Sequence, residues 1–160
     1  MVPIDLSSMT WNDIFNYGFF CFEKAKSQIE TAYICAKNKQ WDATITHAYY
    51  ACLHAGRALL VLKRKSPTTH QGVKTQIALD FIKTGQLDKS YGKILGELLN
   101  MRMEADYDPL SAFSEKEALK ALKDACLFCL EAANLFNSIS EKKIKNNTKQ
   151  FFADIAKAFL

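Results

Sequence analysis

Glycine and proline are scarce in this chain, at six and three among 160 residues. Long apolar runs are missing too, none reaching the roughly 18 to 20 residues that a membrane-spanning helix needs. The opening Met1-Val-Pro-Ile-Asp-Leu-Ser-Ser has neither the basic start nor the apolar stretch of a signal peptide, so a cytoplasmic protein without a membrane partner is expected. There is no GxxxxGKS/T phosphate loop, no GxGxxG fingerprint after a strand and no HExxH, which removes several large enzyme classes. Cys126 and Cys129 form a Cys-x-x-Cys, but no second Cys or His pair stands at zinc-ligand spacing and no strand precedes them as in a thioredoxin unit. Neither a metal site nor a cofactor is expected. The five cysteines, an odd number set on apolar positions of helical patterns, read as reduced core residues and not as a disulfide framework. A net charge of +4 is compatible with an anionic partner but too small to demand one.

The composition, 49% hydrophobic and 24% charged, is globular, and a chain of this length buries roughly 70% of its unfolded surface around one core. Apolar residues recur at helical and not alternating spacing, which predicts an all-α fold. Thr10 and Asp13 form a capping-box variant, and Ile14, Gly18, Cys21, Ala25, Gln28, Ala32 and Cys35 carry a first helix to near Asn38. A second helix over 41–64 bears the stripe Ile45, Ala48, Cys52, Ala55, Leu59, Leu62, widened by Tyr49, Leu53 and Leu60. It is apolar almost all round, so it is expected at the centre of the fold or against another subunit.

Ser66-Pro67-Thr68-Thr69 predicts a turn and caps ahead of a third helix over 70–84, which Gly85 ends. A fourth helix starts near Lys89, carries Tyr91, Leu95, Leu98, Arg102 and Ala105 on one stripe, and stops before Pro109. Ser114-Glu-Lys-Glu117 is a capping box opening a fifth helix, with Leu119, Leu122, Cys126, Cys129, Ala133 and Phe136 on its core face, that fades near Ser138. Lys142, Lys143, Lys145 and Lys149 populate a basic link, after which Phe151, Phe152, Ile155, Ala156, Phe159 and Leu160 form a short amphipathic tail helix. The expected division is a helical bundle over 1–139 and a basic linker with tail helix over 140–160.

Arg102 is out of place on the fourth helix, a charge where the stripe calls for an apolar residue. An unpaired guanidinium buried there would cost several kcal/mol, so it needs a carboxylate, a phosphate or a wet cleft. Asp106, one turn on, or Glu104 could supply an internal ion pair. Alternatively the planar fork points into a cleft or dimer seam and binds a nucleotide or RNA phosphate. The second helix carries a separate polar row, His47, Tyr50, His54 and Arg57, almost opposite its main apolar stripe. Such a row could supply acid, base and phosphate clamp for RNA cleavage by the neighbouring 2′-hydroxyl, or simply hydrogen-bond adjacent helices or a second subunit. His70, in a turn, reads as a cap or loop residue.

Three pieces of the sequence come in a recognisable order: Ala48-Tyr-Tyr-Ala-Cys-Leu-His54-Ala-Gly-Arg-Ala-Leu-Leu, Thr69-His70-Gln-Gly72-Val73, and Arg102-Met-Glu-Ala-Asp106-Tyr107-Asp-Pro109. Together they resemble HEPN domains over 41–137, most closely the stand-alone prokaryotic type with an R-x-x-A-D-Y ending. The resemblance implies a four- or five-helix antiparallel bundle that forms a homodimer, often encoded beside a minimal nucleotidyltransferase as a toxin and antitoxin pair. It also implies metal-independent ribonuclease activity in active members, where an Arg and a nearby downstream His meet their copies across the dimer. Arg102 matches that Arg. No histidine follows His70, and Tyr107 stands where the His would fall; a phenol is a poor general base near neutral pH.

Under the resemblance, Arg102, Tyr107 and His54 are the expected catalytic set, with His54 substituting from the neighbouring helix. Arg102, Asp106, His47 and Arg57 are the expected nucleotide or RNA contacts. Tyr107 is also the expected acceptor if the partner nucleotidyltransferase modifies this chain. Three functions then compete: a phosphate-binding member of a toxin–antitoxin system, an active ribonuclease, and a non-catalytic helical adaptor.

Overall fold

The computed structural model describes residues 4–142 and 146–158, and all regular structure among them is helical. The helices are α1 (Trp11–Lys37), α2 (Trp41–Val61), α3 (His70–Ile77), α4 (Lys89–Tyr107), α5 (Glu115–Ser140) and α6 (Asn146–Ala158). Their starts follow the capping chemistry. Thr10 and Asp13 close one reciprocal box, Ser114 and Glu117 another, while Thr69 accepts from the Gly72 amide and Asp88 from the Ser90 amide. Left-handed backbone at Lys39, Arg64, Gly85 and Glu141 turns the chain after four of the helical segments.

The second helix is central, packed against α1, α5, α4 and α3 within one chain. Thirteen of its residues are buried, among them Ile45, Ala48, Tyr49, Cys52, Leu53, Leu59 and Leu60. That settles why it is apolar on nearly every side. The remaining seam, with Thr46, His47, Tyr50, His54 and Arg57 half-buried, faces the gap between α1 and the α3–α4 side. The opposite face meets α5, where Cys126 and Cys129 are buried, as is Cys52 on α2; all five cysteines are free. No helix among the described residues is long and apolar enough to cross a membrane.

Several boundaries differ from the expected ones. On α1 the buried positions step from Ala25 to Ile29, Ala32 and Ala36, leaving Gln28 and Cys35 half-buried, because a 3.6-residue helix drifts away from a strict seven-residue stripe. The second helix ends at Val61, short of position 64, because Arg64 adopts φ 55° and sends its guanidinium to the carbonyls of Leu6 (2.6 Å) and Met9 (2.9 Å). That contact ties the N-terminal segment, with Leu6 buried, to the bundle. The third helix is α-helical only to Ile77 and continues as a π-helical turn, Ala78–Ile82, that buries Phe81. The tail helix begins at Asn146 and not after Lys149: Thr148, Phe152 and Ala156 are buried on one face, and the Thr148 hydroxyl donates to Glu23 of α1 at 2.9 Å. Lys143, Lys145, Phe159 and Leu160 lie outside the described residues.

Candidate functional site

The C-terminal part of α4 delivers Arg102 to the α2 seam with 8% of its surface exposed. Its Nη2 donates to the Tyr50 hydroxyl at 2.9 Å. Its Nε lies 3.0 Å from Asp106 Oδ2, but the N–H is not aimed at that oxygen, so the contact is an ion pair without a good hydrogen bond. The other Asp106 oxygen accepts from Thr46 at 2.7 Å, which fixes the carboxylate between α2 and α4. The rings of Tyr50, Tyr107 and Tyr49 stand 5.4, 5.6 and 5.8 Å from the guanidinium carbon. Burial works against the charge, yet Tyr50, Asp106 and Tyr107 outweigh it and hold the guanidinium above its ordinary range. Nη1 has no hydrogen-bond partner among the described residues and is not sealed from solvent. Glu104, the alternative ion-pair partner, plays no part.

The polar row on α2 divides between two neighbours. Tyr50 bonds Arg102 of α4, whereas His47 bonds Gln28 of α1 at 2.8 Å through Nδ1, and burial lowers the His47 pKa while the Asp106 charge on α4 partly restores it. His54 and Arg57 share a recess with Tyr17, Phe20, Cys21 and Lys24 of α1. Burial first, then Arg57 and Lys24, push the His54 imidazole down to about 4, so it is neutral at pH 7. His54 shares none of the contacts of Arg102. Tyr107 is 72% exposed, with the Arg102 guanidinium against its ring.

The histidine brought to the Arg102 cluster is His70. As the first residue of α3, directly after the Thr69 cap, it bonds the Tyr49 hydroxyl at 2.8 Å, the tautomer deciding which group donates. Its ring also meets Tyr50 edge-on, with centroids 5.9 Å apart. Burial first, then Arg102 and Arg57, lower its pKa. The tyrosine doublet therefore links His70 to Arg102 without direct contact between the two. Its place one residue past a helix cap and its order after Tyr49-Tyr50 were visible in the sequence, but the turn that surrounds it suggested a merely local role.

Among the described residues no group of three or more His, Cys, Asp or Glu is placed to hold a metal ion. Burial pushes the Cys21 thiol up to about 12 and also raises those of Cys126 and Cys129, which suits packing and opposes thiolate chemistry.

A sequence model of the HEPN domain matches residues 20–135, a span that runs from α1 into α5 and contains Tyr50, His70 and Arg102. A Methanocaldococcus jannaschii protein named "Putative toxin MJ0605" is 33% identical over 106 residues, covering 66% of this chain and 78% of its own. A second from that organism, "Putative toxin MJ0142", is 30% identical over 128 residues, 79% of this chain and 87% of its own. A UPF0332 protein of Thermotoga maritima is 28% identical over 102 residues, 64% of this chain and 77% of its own. With the HEPN model matched over most of the chain and a six-helix bundle to carry it, this chain belongs to the HEPN domain family.

Proposed function

We propose that this protein is the HEPN component of a cytoplasmic toxin–antitoxin type system that binds a nucleotide or RNA phosphate through Arg102 in a cleft between two copies of the chain. The observation that carries this reading is the fixed guanidinium at the α2–α4 seam. Tyr50 and Asp106 hold it in place, three tyrosine rings surround it, and Nη1 remains available to an anion. Two relatives named as toxins support the system-level part. A minimal nucleotidyltransferase is the proposed partner on family grounds, and the exposed Tyr107 phenol is the hydroxyl such an enzyme could reach. The test is fluorescence anisotropy of a labelled single-stranded RNA with wild type and Arg102→Lys, alongside sedimentation of the free protein. Tight, salt-sensitive binding by a dimer, lost in the variant, supports the reading; equal binding by both proteins overturns it.

A second reading, metal-independent RNA cleavage, is favoured by His70. Its pKa is lowered, so the imidazole is neutral and able to take a proton, and the tyrosine doublet holds it beside the Arg102 cluster. Cleavage of RNA in the presence of a chelator, abolished by His70→Gln and untouched by His54→Gln, is its expected signature.

A further inference from the structure

The α2 seam continues away from Arg102 into a separate recess between α1 and α2. This cavity of about 330 Å³ is lined by Tyr17, Phe20, Cys21, Lys24, His54 and Arg57. Its charge is of one sign, two cations and no carboxylate.

Arg57 and Arg102 differ in one respect that decides where an anion is missing. Arg102 has Asp106 beside it. Arg57 forms no ion pair or hydrogen bond among the described residues, and its Nε is sealed from solvent without a partner. Tyr17, Cys21, Tyr49, His54 and His70 feel its charge, and all five are neutral at pH 7, the phenols and thiol by raised pKa and the imidazoles by lowered. A half-buried guanidinium without a counter-ion is an unfavourable arrangement that a bound anion relieves.

The rest of the lining limits what that anion carries. Lys24 is exposed at the mouth and adds a second, mobile positive charge. Phe20 is 71% exposed, and with the half-buried Tyr17 it offers aromatic surface on which a planar ring can lie.

We propose that the α1–α2 recess binds the phosphate of a nucleotide through Arg57 and Lys24, with its base against Phe20 and Tyr17. The site is separate from Arg102 and rests on the missing counter-ion of Arg57, whatever Arg102 does. A free nucleotide and one unit of an RNA strand present the same chemistry to it.

Titration calorimetry and amide chemical-shift mapping on the full chain test this with AMP, adenosine, inorganic phosphate and a short single-stranded RNA. AMP is expected to shift the amides of Phe20, Lys24 and Arg57, and to bind at least about tenfold more tightly than adenosine or inorganic phosphate. Arg57→Gln and Lys24→Gln are each expected to weaken AMP by about tenfold. Lys24 is exposed, so its variant keeps the fold even if Arg57→Gln does not. RNA that displaces AMP assigns the site to a strand, and RNA that leaves AMP bound assigns it to the free nucleotide. Unmoved amides, adenosine or inorganic phosphate binding as tightly as AMP, or full AMP affinity in Lys24→Gln overturns the proposal.

Discussion

Arg102 Nη2 donates to the Tyr50 hydroxyl at 2.9 Å, joining the C-terminal part of α4 to the middle of α2 across 52 positions of sequence. Tyr50→Phe keeps the ring that faces the guanidinium and removes only the acceptor. A hydrogen bond to a charged donor contributes more than a neutral one, so the expected loss of stability is about 1–2 kcal/mol. Urea denaturation measures it. RNA anisotropy should show weaker binding as well, since the freed guanidinium must be ordered again by the ligand. Loss of stability with unchanged RNA affinity would favour the adaptor reading.

Asp106 competes with any bound phosphate for Arg102, because its Oδ2 lies 3.0 Å from Nε. Asp106→Asn keeps an acceptor for Thr46 and removes the competing charge. Arg102 is buried and Asp106 about a quarter exposed, so the variant leaves the guanidinium to Tyr50 and any bound phosphate, and the expected loss of stability is about 1–3 kcal/mol. RNA affinity is expected to rise by about threefold or more at low salt. Weaker binding by this variant would mean that Asp106 serves the ligand directly and would count against Arg102 as the anion site.

The bundle was legible because periodicity and caps are local signals. Thr10 with Asp13 and Ser114 with Glu117 announce their helices from within four residues of sequence, and α2 is apolar all round because it touches four other helices. The site was legible only in part. Arg102 stands out against its own stripe, and Asp106 lies one turn away, so both could be read from one helix. His70 could not, since its connection to Arg102 passes through Tyr49 and Tyr50 on another helix. His54 was expected beside Arg102 as a substitute, from the neighbouring helix, for the histidine that the family resemblance calls for and the sequence lacks after His70. The His47, Tyr50, His54, Arg57 row, however, lies over the gap between α1 and α4, where Tyr50 meets Arg102 while His54 lines a recess with α1 residues beside Arg57 and Lys24. Row membership fixes a direction around one helix but not which neighbour fills it.

Gly18 is where α1 makes room for the Phe136 ring of α5. A Cβ at this position would collide with the Cε2 and Cζ atoms of Phe136, whose ring is fully buried and packed edge-on against Phe19 and Phe22. The ring cannot swing aside without moving its neighbours, so Gly18→Ala is expected to destabilise the fold by about 1–3 kcal/mol despite the higher helix propensity of alanine. Thermal denaturation followed by circular dichroism tests it. An unchanged or raised midpoint would show that α1 and α5 can separate at this point.

His54 should make stability depend on pH in a predictable sense. In the folded chain its pKa is down at about 4, from an ordinary value of 6.5, because burial, Arg57 and Lys24 all oppose its charge. Between those two values the unfolded chain binds the proton and the folded chain does not, so the fold is fully stable above the ordinary pKa and weakens as pH falls through this window. Solvent reaches part of the ring, which reduces the effect to about 1 kcal/mol between about pH 7 and about pH 5. His47 and His70 shift in the same direction, so wild type and variant should both weaken in acid. The informative quantity is therefore the difference between wild type and His54→Gln, measured as urea midpoints across this range. The variant should lose less stability on acidification, and parallel profiles would mean that His54 titrates alike in the folded and unfolded chain.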